Sequence, residues 1–240
     1  GDIQMITWDG ITSDSLNCIV ERYPTYTVPQ RKQSAISVPG RNGDLLLQQQ
    51  AYSNYIQGYD IYLSGPRNNS KLPDVARAVA AWLNVGGYRK LVDDYTPGSY
   101  RMAFFQGPMD LENTFNLYGR TTIEFNCKPQ RFLNIGDTAQ TISTSGGTIT
   151  NPTAFNAKPL ITVYGSGAAT LQVGEYVCTL AAIDGSITLD SDTENAYKGV
   201  TNLNSQVTIP EFPELAPGDN EITWTGGITS VEIIPRWWTL

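Results

Sequence analysis

No histidine occurs anywhere in the 240 residues. That absence excludes histidine-based triads, histidine-ligated metals and histidine general bases together. Cysteine is nearly as scarce. Cys18, Cys127 and Cys178 stand far apart, with neither the paired spacing of a zinc site nor that of a redox motif. An odd number cannot close a disulfide framework, and each lies among apolar neighbours, so buried reduced thiols are expected. Long apolar runs are missing too. The longest, 78–83, is far too short to cross a bilayer, and no membrane anchor is expected. The opening Gly1-Asp2-Ile3 carries no basic segment leading into an apolar stretch. A signal peptide is therefore not expected, and synthesis in a cytoplasm is.

Charge is sparse, at 16% of residues, while 22 Gly, 14 Pro and 13 Tyr accompany many Thr, Val and Ile. This balance favours short strands joined by turns over a helical protein, and its apolar content argues against disorder. The net charge of −7 is unevenly placed. Residues 1–150 hold 13 Lys+Arg against 13 Asp+Glu, whereas 151–240 hold 3 against 10, the whole imbalance. Two domains with different surroundings are expected, divided near residue 150. The acidic second part repels phosphate backbones, so no specific nucleic-acid binding is expected.

Along the first part, strands are predicted at 3–8, 18–22, 35–38, 45–47, 56–63, 88–92, 100–106 and 121–127. Asn42-Gly43 predicts a tight hairpin turn, because both residues enter the left-handed region cheaply. Arg41 and Asp44 flank it with opposite charges suited to a neighbouring subunit, which makes Arg41, Asn42, Gly43 and Asp44 candidate interface residues. One segment has helical period: Leu72, Val75, Val79 and Trp82 share a face, with Pro73 near the start and Gly86-Gly87 beyond the end. A helix near 72–84 packed on a sheet is expected. The stretch 134–150 is rich in Thr, Ser and Gly and is expected to be a connector or edge strand. Strands at 160–164, 170–173, 176–181, 186–190, 206–209, 220–225 and 230–235 then suggest a small antiparallel sandwich.

Candidate chemistry is thin. There is no Ser-x-x-Lys, no Gly-x-Ser-x-Gly and no phosphate-cradling loop before a helix. Gly165-Ser166-Gly167 sits between strands and predicts a β-turn. Asp93-Asp94 is the closest acidic pair, but neighbours on a strand point to opposite faces and would not share a cleft. Asp190-Ser191-Asp192-Thr193-Glu194 alternates oxygen ligands but lacks the glycine and spacing of a calcium loop, so a solvated turn is expected. Trp224, Trp237 and Trp238 could stack on a sugar, although aromatics are more often core or interface anchors. No catalytic residue, metal site or cofactor is expected. For Trp237-Trp238, adjacent on an extended strand, one indole is expected in a core and the other outward.

Two successions carry a family resemblance. The first runs from Val38-Pro39-Gly40-Arg41-Asn42-Gly43-Asp44-Leu45 through Trp82-Leu83, Tyr88-Arg89-Lys90-Leu91, Asp93-Asp94 and Tyr100-Arg101-Met102-Ala103. It ends on Ile123-Glu124-Phe125-Asn126-Cys127-Lys128-Pro129. The second joins Asn151-Pro152-Thr153, Lys158-Pro159-Leu160-Ile161-Thr162-Val163-Tyr164 and Ile187-Thr188-Leu189-Asp190-Ser191. Phe212-Pro213-Glu214-Leu215, Pro217-Gly218-Asp219-Asn220 and the closing Ile234-Pro235-Arg236-Trp237-Trp238-Thr239-Leu240 complete it. In this order, over nearly the whole chain, they resemble the distal tail proteins of siphophages and prophages of Gram-positive hosts.

The resemblance implies a mainly β protein of two domains. Residues 1–150 would be a ring-forming α+β domain with one helix. Residues 151–240 would be a galectin-like β-sandwich whose final strand is free to pack back on the first domain. It further implies a non-enzymatic tail-tip hub, a homo-oligomer closing as a hexameric ring, often with two rings stacked. The partners it implies are the major tail protein, the tail-associated hub or lysin protein and, in some phages, the receptor-binding protein. DNA would pass through the ring, and the protein would sit at the virion tail tip after synthesis in the bacterial host cytoplasm. A galectin-like fold does not itself imply sugar binding, because function lives in sites. The alternatives are a carbohydrate-binding module, needing a groove of exposed Trp or Tyr, and a tail-tip glycosidase, needing two acids across one cleft.

Overall fold

The computed structural model describes residues 5–64, 72–114 and 118–240, and the predicted strand positions Ile3 and Gln4 lie outside them. The chain packs as two compact units, 1–131 together with Leu240, and 132–239. The division thus falls at 131/132 instead of near 150. The reason is hydrogen bonding in the stretch expected as connector or edge strand: 140–142 and 147–151 are strands paired to a long strand of the second unit.

The first unit contains β1 (Ile6–Trp8), β2 (Ile11–Thr12), β3 (Cys18–Val20), β4 (Arg31–Ile36), β5 (Leu45–Tyr52) and β6 (Tyr55–Ser64). Helix α1 (Leu72–Leu83), β7 (Arg89–Asp93), β8 (Ser99–Phe105), β9 (Glu112–Thr114) and β10 (Tyr118–Leu133) follow, the last running on into the second unit. The main sheet runs β2-β1-β7-β8-β10-β6-β3, with β9 added against β10. Alternation decides which face is buried: Tyr55, Gln57, Tyr59, Ile61 and Leu63 of β6 are inward, and their neighbours are not. Helix α1 covers this face with Leu72, Val75, Val79, Trp82 and Leu83, all buried. Pro73 is tolerated because the first helical turn has no internal acceptor for its missing N–H. Trp82 Nε1 donates to the backbone oxygen of Trp8 at 3.1 Å, tying the helix to β1.

The second unit contains β11 (Gln140–Ile142), β12 (Gly147–Asn151), β13 (Leu160–Val173), β14 (Tyr176–Asp190), β15 (Asn195–Lys198) and β16 (Thr201–Asn202). After them come β17 (Val207–Thr208), β18 (Gly218–Ile234) and β19 (Trp238–Thr239). Its sheet runs β11-β18-β13-β14-β15-β16, with β12 also on β18 and β17 on β14. Six strands expected as separate pieces are therefore halves of three long ones. Gly165-Ser166-Gly167 is not a β-turn but the middle of β13. The glycines lie in register across strands, Gly165 opposite Gly185, and there the pairing shifts. Ala181 and Ala182 of β14 together oppose Ala168 of β13, a bulge that turns the strand. Before the bend Ile161, Val163, Ile187 and Leu189 are inward; after it Leu171, Val173, Cys178 and Leu180 are, and all belong to one core. A bent sheet closes over its own inner face. Gly227 makes the bend feasible, since a Cβ there would lie 1.7 Å from the Ser166 backbone oxygen.

Two motif asparagines hold the loops of this unit. Asn151 donates through Nδ2 to the backbone oxygens of Phe155 and Leu215, both at 2.9 Å, and accepts from Thr153 N and Oγ1. Asn220 donates to the oxygens of Ala216 and Gly218 and accepts from Ala216 N. Both are almost wholly buried, and a short side chain bonded to nearby backbone fixes a turn without a regular ladder.

Candidate functional site

Among the described residues, strands β4 and β5 pair only with each other, as a two-stranded sheet separate from the main one. Every residue from Gln30 to Gln49 is exposed. The pairs Ile36–Leu45, Ala35–Leu46, Ser34–Leu47 and Gln33–Gln48 set the register. Alternation then places Ile36, Leu45 and Leu47 on one face of the arm and Ala35 and Leu46 on the other. Leu46 and Leu47 are each 48% exposed. At the base, Arg31 bridges the strands, donating to Tyr52 Oη at 2.9 Å and Gln48 Oε1 at 3.4 Å.

The tip differs from the expected two-residue turn. Ile36 and Leu45 are the last pair, so residues 37–44 form the loop. The tight turn is at Pro39-Gly40, where Arg41 N donates to Val38 O at 3.1 Å and Gly40 has φ +78°. Proline presets the first corner and glycine supplies positive φ at the second, the pattern of a type II turn. Asn42 keeps a negative φ and Gly43 has φ +78°, so the pair does not make the expected turn. Arg41, Asn42, Gly43 and Asp44 all lie exposed on this loop.

Trp237 and Trp238 are set apart at the end of the second unit. Arg236 has φ +56°, and its N–H donates to Gly136 O at 2.9 Å. This kink turns Trp237 into the core, where it is 2% exposed. A Cβ on Gly136 would lie 2.4 Å from Trp237 N, so only glycine fits there. Trp238 is half-buried, stacked on Phe155 at 4.4 Å between centroids, and donates from Nε1 to Asn156 O at 2.8 Å. Trp224 is half-buried against the same core. The three indoles do not line one groove.

The acidic candidates are committed to structural partners. Asp190 holds Arg236, whose NH1 donates to Oδ1 at 2.6 Å. Burial would raise its pKa, but the Arg236 guanidinium and neighbouring backbone N–H groups hold it below its ordinary value. Asp93 and Asp94 diverge: Asp93 is buried, whereas Asp94 accepts from Met5 N at 3.0 Å. Among the described residues, no cluster of three or more acidic or cysteine side chains could hold a metal.

Sequence reasoning missed one buried polar cluster. Asp93 Oδ2 accepts from Tyr59 Oη at 2.7 Å and Arg101 NH1 at 2.8 Å, while Oδ1 accepts from Thr96 N and Oγ1 at 2.8 Å. Arg101 Nε also donates to Tyr55 Oη at 2.9 Å. The alternation of inward Tyr55, Gln57 and Tyr59 was a signal, since polar residues on an inward face need partners. Burial, with the Asp93 charge beside it, pushes the Tyr59 hydroxyl well above its ordinary pKa. Asp93, Arg101, Tyr55 and Tyr59 are buried, and their hydrogen bonds tie β6, β7 and β8 together.

Residues 19–127 match the phage tail protein RIFT-related domain. Over its whole length the fold is similar to those of solved phage proteins. The Dit protein of phage SPP1, described as a paradigm of the hub adsorption apparatus in phages infecting Gram-positive hosts, superposes with a TM-score of 0.79 at 12% identity, covering 100% of both chains. A chain of the phage P2 baseplate, solved in its activated conformation with calcium, superposes at 0.52 with 9% identity, covering 97% of this chain and 98% of that one. No curated protein sequence matches the chain.

Proposed function

We propose that the chain closes head to tail into a ring, six copies around the tail axis, with the β4–β5 arm of each copy laid against the next. The observation carrying this is the arm's composition on both faces. A lone two-stranded hairpin is marginal in water, and a protein does not usually leave leucines exposed on both sides of one. Covering them with a neighbouring copy gives a repeated heterologous contact, which closes when the rotation fits. Arg41, Asn42, Gly43 and Asp44 at the tip then contact that neighbour.

Such a ring serves as the hub of the tail tip. One face takes the major tail protein and the other the tail-associated hub or lysin protein, with receptor-binding proteins at the periphery. DNA leaves through the opening. The separation of the three indoles gives no support to a sugar-binding groove. The test is electron microscopy of assembled tail tips together with the solution mass of the purified chain. A closed six-fold ring at the tip is expected, with the arms between subunits. A tip in which this protein is present as single copies, or as a ring whose arms project free into solvent, overturns the reading.

A further inference from the structure

We propose that Asn42 is a site of spontaneous deamidation, a chemical modification that alters the charge and chain geometry of the arm tip before assembly. Asn42-Gly43 is the only Asn-Gly pair in the sequence. It lies on the exposed loop of residues 37–44, beyond the last paired residues of the arm. No other described residue holds the Asn42 side-chain amide. By contrast, Asn54, Asn151 and Asn220 each have theirs bonded to protein groups. Space around the nucleophile is open as well, since nothing lies within 4 Å of where a Gly43 Cβ would stand. Glycine leaves both its own nitrogen and the backbone dihedrals unobstructed.

The reaction needs only water. The Gly43 backbone nitrogen gives its proton to solvent hydroxide and attacks Asn42 Cγ. A C–N bond forms, and the side-chain nitrogen, taking up a proton, leaves as ammonia. Water then opens the resulting five-membered imide at either carbonyl. The product is aspartate, or isoaspartate in which the main chain runs through the former side chain. One water is consumed for the opening and one ammonia released, with no change of oxidation state. The tip, where Arg41 and Asp44 balance, gains one negative charge. In the isoaspartate form it also gains one backbone atom before Leu45, the first residue of β5.

The consequence for assembly rests on the ring proposed above; the chemistry does not. A loop buried against a neighbouring copy loses the freedom and solvent access that the attack requires, so assembled copies are protected and unassembled ones age. The experiment incubates the full folded chain at neutral pH and at pH 9 and maps its peptides by mass spectrometry, with enzymatic methylation reporting isoaspartate. Conversion at Asn42, faster at pH 9, absent from Asn54, Asn151 and Asn220, and abolished in Asn42→Gln, is expected. An Asn42 that stays intact while a free peptide of residues 37–46 converts overturns the proposal, as does equal conversion at the bonded asparagines. Aged and fresh chains are then compared for ring formation. Conversion without any assembly defect leaves the modification standing and removes the arm tip from the ring contact.

Discussion

Arg101 and Asp93 meet inside the first unit, with NH1 donating to Oδ2 at 2.8 Å and the two side chains only 2% and 3% exposed. Tyr59 and Thr96 complete the shell of donors around the carboxylate. Removing one member of a buried ion pair leaves an uncompensated charge, which costs about 3–5 kcal/mol. Arg101→Met should lower the unfolding free energy by that amount in denaturant titration. Restoring the balance with Asp93→Leu on the same chain should recover part of the loss. A single variant as stable as the parent would contradict the arrangement.

The same carboxylate sets an acid limit. Burial alone would raise the Asp93 pKa, but Arg101, Tyr59 and Thr96 hold it below the ordinary 3.8. Asp60 is also lowered, chiefly by the Thr122 hydroxyl, and Asp190 by Arg236 despite burial. A group depressed in the folded state contributes stability above its unfolded pKa and loses it as pH falls through the folded value. The denaturation midpoint should therefore hold from neutral pH down to about 4 and fall steeply below it. Stability independent of pH between 4 and 2 would be inconsistent with these shifts.

The alkaline limit comes from the thiols. Burial pushes Cys18, Cys127 and Cys178 from the ordinary 9.0 up to about 12. A raised folded pKa gives a contribution present below 9 and lost as pH rises toward 12, because only the unfolded chain ionises readily. Thermal unfolding followed from pH 8 to 11 should show the loss beginning near 9. Cys178→Ala, which leaves a small cavity, should start lower at pH 8 and decline less steeply. Parallel declines for parent and variant would assign the alkaline loss elsewhere.

The two indoles at the chain's end should behave differently. Trp237 is enclosed by the second core, and its replacement by Ala should cost on the order of 3–5 kcal/mol. Trp238 rests half-buried on Phe155, and its replacement should cost about 1–2 kcal/mol, a part of what full burial of a large side chain provides. Equal costs in chemical denaturation would show that the kink at Arg236 does not separate their roles.

Helix α1 was legible because its period of three and four, with proline in the first turn and glycine after the end, is a local signal. What sequence alone obscured was the meaning of glycine. Gly165-Ser166-Gly167 read as a turn, yet it lies at a bend inside a strand, because only pairing with neighbouring strands distinguishes a bulge from a reversal. Asn42-Gly43 misled in the same way: Pro39-Gly40 makes the turn first, so the chain has already reversed. The β5 run Leu45-Leu46-Leu47 was legible as a strand, but its exposure on both faces was not, because a short apolar run reads the same whether it is covered or not. The partners of Arg101 lie 8 to 46 residues away, a separation no local pattern reports.

The last prediction concerns Leu46 and Leu47, which lie on opposite faces of the arm. Both are exposed in the single chain, so polar replacement should change its folding stability within about 0.5 kcal/mol. In a ring they would be buried, each contributing about 1.5–3 kcal/mol per contact. Leu46→Ser with Leu47→Ser should then weaken each contact by roughly two to four orders of magnitude, since about 1.4 kcal/mol is tenfold. Sedimentation of the purified chain, and incorporation into tails during complementation, would measure this. The single variants carry further information. If the arm is sandwiched, each substitution weakens assembly; if it only adds an edge strand, one does and the other does not. Unchanged assembly of the double variant would remove the arm from the ring and leave its exposed leucines to another partner.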